Sequence, residues 1–193
     1  NFIFLYLGHY CNWEWIASLP YTISPSIHCA QIYHPLYNKA VDRFFLKLRN
    51  QFGGECIPMK NTLRRVIELK REKRPTMIGL YPINFPSGIA AFLVPFLHRE
   101  TAVFTGAEQI GRQVKAVYFF ADIIRPRRGY YECTFRRMEI PEVNRTEYDM
   151  TAMFMEQLEQ MIRKAPQYWL WTHKRWKRTK EEWLRRQQDS TIK

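Results

Sequence analysis

Short apolar runs alternate with amphipathic segments along this chain, and no other feature restricts its fold as strongly. Residues 2–7, 27–33 and 76–81 are apolar runs of strand length, each followed by glycine or proline within two residues. A helix is predicted after the second run, because apolar residues recur there at helical spacing, at Val41, Phe44, Phe45, Leu48 and Phe52. Strands that alternate with helices are typical of α/β domains. We therefore predict an α/β fold.

The second half of the chain adds an antiparallel pair of strands to this pattern. Residues 116–124 and 130–139 are predicted strands on either side of a turn that contains Pro126 and Gly129. Helices are predicted at residues 61–69, at 105–115, and in a last segment with Met150, Phe154 and Leu158 on one face. The predicted architecture is a central mixed sheet flanked by helices.

Neither an internal repeat nor a linker divides the chain, so residues 1–193 are predicted to form one domain. The first residue is Asn, and an apolar strand begins at once. This start indicates a preceding segment, in which we expect a membrane anchor. Within residues 1–193, no apolar run approaches the roughly 20 residues of a spanning helix.

The formal net charge of +12 indicates an anionic partner. Nucleic acid, anionic lipid, a phosphorylated glycolipid and an acidic carrier protein all satisfy this condition. The four cysteines show no C-x-x-C spacing, which favours a reducing compartment.

The segment most suggestive of catalysis is residues 8–14, which have the sequence GHYCNWE. His9 lies where the first predicted strand ends, and sites in α/β folds gather at such strand ends. A carboxylate five residues later, at Glu14, can orient the imidazole and stabilise the imidazolium, as a general base requires. Spacing alone also fits a histidine that is only hydrogen-bonded at a helix start.

A metal centre is not predicted. His28, Cys29 and His34 are the nearest candidates, but a strand would point alternate side chains to opposite faces, and no second pair has zinc-like spacing. Cys11 has no feature of a nucleophile and is expected to be an ordinary buried cysteine.

Six segments resemble one enzyme family, in the family's own order. Gly-His-x-x-Asn-Trp-Glu after an apolar strand resembles the late acyltransferases of lipid A biosynthesis, the lauroyl/myristoyl acyltransferase family. These are similar to the wider glycerolipid acyltransferases with an H-x-x-x-x-D/E motif. The other similar segments are YHPLYN at 33–38 with His34 in place of the usual Arg, Arg49 before Gly53, residues 96–106, RGYY at 128–131 and WLWTHKRWK at 169–177.

The resemblance implies a glycerolipid acyltransferase-like fold and acyl transfer to a hydroxyl of a lipid A precursor or related glycolipid. The donor would be a thioester of acyl-carrier protein or coenzyme A. The reaction would take place at the cytoplasmic face of the bacterial inner membrane. His9 would be the base and Glu14 would hold it. The residues implied to bind substrate are Asn12, Arg49, Thr105, Gly106, Lys174 and Arg175.

Direct transfer needs neither a cofactor nor a covalent nucleophile. Arg49 would bind a phosphate or an oxyanion, although a solvated arginine at a helix end fits its position equally well. The sequence departs from the family at residues 78–84, IGLYPIN, where an acidic residue is usual. We expect altered substrate binding there.

The basic, aromatic tail at residues 168–186 allows three interpretations. It fits a membrane interface, a docking surface for acidic carrier protein, or single-stranded nucleic acid bound by stacking and phosphate contacts. The last is the alternative function for the whole chain, as a nucleic-acid-binding module without catalysis. It leaves the His9 motif unexplained, so no nucleic-acid partner is predicted.

Replacement of His9 tests the catalytic interpretation directly. We expect His9→Ala to lower acyl transfer by about a hundredfold to ten-thousandfold, because a general base contributes that much, and to leave the fold intact. Transfer of a radiolabelled acyl chain from a thioester donor measures it. A folded variant with near-normal turnover would contradict the mechanism.

Overall fold

A computed structural model describes residues 1–82, 91–140, 147–176 and the single residue 185. Within them the strands are β1 (Phe2–Tyr6), β2 (His28–Tyr33), β3 (Glu55–Pro58), β4 (Thr76–Leu80), β5 (Ala91–Phe96), β6 (Arg99–Phe104), β7 (Val117–Arg127) and β8 (Tyr130–Met138). Six of these form one sheet in the order β3-β2-β4-β1-β7-β8, and β5 pairs with β6 in a separate hairpin.

Strand β1 occupies the interior of the sheet. It pairs in parallel with β4, from Phe2 opposite Thr76 to Tyr6 opposite Leu80, and in parallel with β7 on its other edge. β8 is antiparallel to β7. The predicted mixed sheet is therefore confirmed. A parallel strand covered on both faces needs a continuous apolar sequence, and Phe4, Leu5 and Tyr6 are almost completely buried.

Helices flank this sheet at α1 (Lys39–Asn50), α2 (Thr62–Arg71), α3 (Gly106–Val114) and α4 (Asp149–Lys164). The predicted last helix is confirmed as α4. Its buried face includes Phe154 and Leu158, and Phe154 packs edge-to-face on Tyr6 with ring centroids 5.4 Å apart. None of the helices in the described ranges is long and apolar enough to cross a membrane.

Helix α1 is confirmed at its predicted position, and Asn38 caps it. The Asn38 side-chain oxygen accepts hydrogen bonds from the backbone N–H groups of Ala40 and Val41, at 3.0 and 3.3 Å. Asn61 occupies the N-cap position of α2 but makes no capping hydrogen bond with its side chain.

Three elements differ from the sequence pattern. Strand β3 was not predicted. Residues Trp13–Tyr21 form a 3-10 helix that includes Pro20, although proline usually ends a helix. The β5–β6 hairpin was not predicted, because its two-residue turn is formed by Leu97 and His98, both with positive φ. Asn-Gly or Asp-Gly usually marks such a turn, and neither is present here.

A buried carboxylate joins α3 to the start of α4. Glu108 is fully buried, and its oxygens accept hydrogen bonds from the backbone N–H and hydroxyl of Thr151, at 2.8 and 2.7 Å. Arg112 donates to the same carboxylate at 2.8 Å. A negative group at a helix start meets free N–H groups and the positive end of the helix dipole. Glu108 therefore fixes where α4 begins.

Removal of this carboxylate should destabilise the protein. Glu108→Ala leaves the buried donors of Thr151 without an acceptor, which costs about 3 kcal/mol of unfolding free energy. Urea denaturation followed by circular dichroism measures the loss. The matched control is Glu139→Ala, which removes an exposed carboxylate paired with exposed Arg137 and should cost less than about 1 kcal/mol. Equal losses in the two variants would contradict the capping role.

Candidate active site

His9 lies just beyond the carboxyl end of β1, as predicted, and the C-terminal segment holds its backbone. The backbone N–H of Leu170 donates to the carbonyl of His9 at 3.4 Å, and that of Cys11 donates to the carbonyl of Tyr168 at 2.9 Å. Tyr10 forms an isolated antiparallel bridge with Trp169. The motif is thus fixed by a segment about 160 residues later in the chain.

Gly8 permits this close approach. A Cβ atom at Gly8 would lie 2.4 Å from the Leu158 side chain of α4 and 3.5 Å from the ring of Trp169. Alanine at this position would force the Leu158 side chain to move, whereas the distance to Trp169 is an ordinary van der Waals contact. Gly8 therefore leaves room for Leu158 against the strand end.

Aromatic rings surround the imidazole of His9. Tyr81, at the end of β4, stacks on it with ring centroids 4.7 Å apart, and Trp13 contacts it edge-on at 5.5 Å. The ring of His173 lies nearly parallel to it at 6.1 Å. The Nδ1 atom of His9 is buried and has no hydrogen-bond partner among the described residues. Packing, rather than a hydrogen bond, sets the orientation of this ring.

Glu14 does not hold His9 in this structure. Both of its carboxylate oxygens accept hydrogen bonds from Arg49, from Nε at 3.0 Å and from Nη2 at 2.7 Å. The direct Glu14–His9 hydrogen bond expected from the motif is not formed in the part of the chain that the structure describes. Arg49 is a better partner here, because its two parallel donors match a carboxylate.

The surroundings of His9 disfavour its protonated form. Burial, then the charges of Arg175, His173 and Arg49, lower its pKa from 6.5 to about 4. The arginines come from the C-terminal segment and from α1, and Glu14 partly offsets the charge of Arg49. At neutral pH the imidazole is therefore uncharged and can accept a proton.

His9 opens into a cleft of about 290 Å³ that also contains Glu14, Arg49 and Tyr81. A second cavity of about 460 Å³ continues from it, since Ile32, Tyr33, His34 and Tyr81 line both. The second cavity is mostly apolar. Among its lining residues are Met59, Leu63, Leu80, Phe104, Ala107 and Ile110. A cleft that contains a histidine and the Glu14–Arg49 ion pair thus leads into a hydrophobic groove, which is the form of a site for an amphipathic substrate.

The remaining predicted binding residues fall in three places. Asn12 is partly buried at the start of the 3-10 helix after His9. Thr105 and Gly106 are completely or almost completely buried where α3 begins. They lie beside Phe104 and Ala107, which line the groove. Lys174 is exposed.

Arg175 is interior rather than part of a basic surface. Its exposed fraction is 6%, and its guanidinium lies 3.8 Å from the ring centroid of Trp169. Nη1 donates to the carbonyl of Leu170 at 2.9 Å, while Nε and Nη2 have no partner among the described residues. Burial lowers its pKa to about 10, so it stays charged at neutral pH. A buried cation with two free donors is suited to an anionic ligand.

Trp169 is likewise buried, at 4% exposure. It is therefore not available to stack on a base, as the nucleic-acid interpretation of the tail requires. Residues 177–184 and 186–193 of that tail lie outside the described residues, as do residues 83 and 84 of the segment that departs from the family pattern.

Sequence reasoning missed Tyr81 and the position of His173. Tyr81 had a usable signal, because it follows β4, the parallel neighbour of β1, and the carboxyl ends of parallel strands share one edge of a sheet. For His173, the sequence contained no signal of a position near His9 beyond its place in the C-terminal segment. Its approach to His9 depends on contacts between distant parts of the chain.

A titration of His9 tests this electrostatic description. We expect its imidazole to titrate near pH 4, and Arg175→Met to raise that pKa because the variant removes a nearby cation. NMR of the imidazole signals, assigned with His9→Ala, measures both. The control, Arg128→Met, removes a cation from the exposed β7–β8 turn and should change nothing.

The sign of the stability effect follows from the same pKa. The unfolded chain takes up this proton near pH 6.5, whereas the folded chain does so only near pH 4. The contribution of His9 to stability is therefore fully present above pH 6.5 and falls as the pH drops to about 4. An ordinary titration of His9 near pH 6.5 in the folded protein would contradict the description.

Comparison with known proteins identifies the family of this chain. The family described as bacterial lipid A biosynthesis acyltransferase matches residues 1–178, a range that includes both His9 and the C-terminal segment packed against it. A search of curated proteins found no match. The family match covers far more than half of the chain and confirms the resemblance seen in the motifs. The chain therefore belongs to the bacterial lipid A biosynthesis acyltransferases, which transfer an acyl chain to a lipid A precursor.

Proposed function

We propose that this chain transfers an acyl group from a thioester of acyl-carrier protein or coenzyme A to a hydroxyl of a lipid A precursor, with His9 as the general base. The observation that supports this most is the position of a neutral, ring-packed histidine where a cleft with the Glu14–Arg49 ion pair meets an apolar groove. The cleft suits a polar acceptor, and the groove suits an acyl chain.

The proposed step begins at the acceptor hydroxyl. Because Nδ1 of His9 is buried, Nε2 is the atom that takes the hydroxyl proton. The oxygen attacks the thioester carbonyl carbon and forms a tetrahedral intermediate. The C–S bond then breaks, an ester remains on the acceptor, and the imidazolium of His9 returns its proton to the departing thiolate. No covalent enzyme intermediate is needed.

Glu14 and Arg49 act as a pair in this proposal. The carboxylate of Glu14 stabilises the positive charge that forms on His9, and the two hydrogen bonds from Arg49 keep that carboxylate on the wall of the cleft. Arg49 is partly buried, which opposes its charged form, but the hydrogen bonds and charge of Glu14 outweigh burial and raise its pKa. Arg49 therefore remains charged.

Arg175 is the proposed binder of an anionic group. Its Nε and Nη2 atoms, which have no partner among the described residues, can donate to a phosphate oxygen or to the oxyanion of the tetrahedral intermediate. Lys174, which is exposed, would meet a phosphate nearer to solvent. We propose that Asn12 contacts the acceptor. Thr105 and Gly106 are proposed to shape the wall of the groove that holds the acyl chain.

Both proposed donors are made in the cytoplasm, and both are acidic. The net charge of +12 favours their encounter with this protein. We accordingly propose that the reaction takes place at the cytoplasmic face of the bacterial inner membrane.

A double-mutant cycle tests the pair and the activity together. We expect Glu14→Gln and Arg49→Met each to lower kcat by about a hundredfold, and the double variant to lose about as much as either single variant. The losses should not add, because Arg49 acts by positioning Glu14. Transfer of a radiolabelled acyl chain to a lipid A precursor, from each donor in turn, measures kcat.

Two results would contradict the proposal. Additive losses would show that Glu14 and Arg49 act independently. Absence of transfer by the unmodified chain from both donors would overturn the assigned donor class. Asp42→Asn on α1, which changes a carboxylate outside the cleft, is the control and should keep near-normal kcat.

A further inference from the structure

Helix α1 packs on the protein with only one of its sides. No residue of α1 is buried. The residues that face the body of the protein are partly buried, among them Asp42, Phe45 and Arg49, and the last two line the His9 cleft. The rest of the helix surface is exposed, and its composition is unusual for a solvated surface.

The exposed side of α1 carries two parallel rows. Val41, Phe44 and Leu48 form an apolar row at helical spacing, with exposed fractions of 41%, 62% and 40%. Lys39, Arg43 and Lys47 form a basic row, four residues apart, and all three are exposed. Single exposed apolar residues are ordinary, but a row of three on one helix indicates an interaction surface.

Other exposed apolar residues line the two cavities of the active site. Leu36 and Tyr37, just before α1, are 41% and 102% exposed, and the backbone N–H of Leu36 is bound to Asp42 of the helix at 2.8 Å. Leu36 lines the His9 cleft. On α2, Leu63 is 47% exposed and lines the apolar groove. Exposed apolar side chains thus stand at the rims of both cavities.

The chemistry of the two rows identifies the occupant as a bilayer with anionic headgroups. A helix in the plane of a membrane buries its apolar row among the acyl chains, while its lysines and arginines extend to the headgroup phosphates. A second copy of the chain would bring two basic rows together, which is repulsive. Nucleic acid would leave the apolar row in water.

We propose that α1 is an interfacial helix, which inserts Val41, Phe44 and Leu48 into an anionic lipid surface and thereby places the mouth of the His9 cleft against that surface. The proposal that the chain binds a lipid surface depends only on the exposed apolar and basic rows of α1. Only its consequence, delivery of a lipid acceptor to His9, rests on the proposed function.

The binding experiment uses the 193-residue chain and flotation with two kinds of vesicle, pure phosphatidylcholine and phosphatidylcholine mixed with phosphatidylglycerol. We expect binding to the mixed vesicles, and about a hundredfold weaker partitioning when Val41, Phe44 and Leu48 are all changed to serine. Changing Lys39, Arg43 and Lys47 to glutamine should remove the preference for the mixed vesicles. The matched control changes Val117, Ile124 and Tyr130 to serine, three exposed apolar residues of β7 and β8.

Activity separates this proposal from the proposed function. The triple serine variant should keep near-normal acyl transfer to an acceptor in detergent micelles and lose most transfer to an acceptor in vesicles. If the unmodified chain binds vesicles but transfers no acyl group, the proposed function fails and the interfacial helix stands. If the chain does not bind mixed vesicles, or the triple serine variant binds as tightly as the unmodified chain, the interfacial helix is wrong. A lipid-free dimer that the triple serine variant abolishes would also overturn it, in favour of a second copy.

Discussion

The parallel pairing of β1 with β4 on one edge and β7 on the other is the constraint on which the rest of this structure depends. Parallel strands end at the same edge of the sheet, so this pairing brings His9, after β1, beside Tyr81, after β4. Burial on both faces requires the apolar sequence of β1, and it also requires α4 and the C-terminal segment to cover that strand. The site is therefore a consequence of how the central strand is buried.

The chemistry of His9 follows from this packing. An imidazole placed among Tyr81, Trp13 and His173 loses water, and the nearby guanidinium of Arg175 further disfavours its protonated form. A base with a strongly lowered pKa is unprotonated and ready at neutral pH, but it is also weak. In the proposed reaction, His9 needs help when positive charge forms on it. The Glu14 carboxylate, which Arg49 holds in the same cleft, is the group proposed to give that help.

The distribution of charge separates the two sides of α1. On the inner side, Arg49 is neutralised by Glu14, and its role is to organise the cleft. On the outer side, Lys39, Arg43 and Lys47 stand in solvent beside apolar residues that the core does not use. Arginine suits the first place because its planar fork binds a carboxylate with two hydrogen bonds. The same short helix thus serves the catalytic cleft and the exposed surface.

Sequence by itself determined the elements whose signal is local. Apolar runs and helical spacing were sufficient for β1, β2, β4, the β7–β8 pair and α1, α2 and α4, and the position of His9 at a strand end followed from them. The β5–β6 hairpin was not predicted from the sequence, because Leu97 and His98 form its turn without glycine. Tertiary structure alone decided that Glu14 pairs with Arg49 rather than with His9, and that Arg175 is buried near His9. These partners come from α1 and from the C-terminal segment, and periodicity within one element contains no information about which distant element the strand order will place beside it.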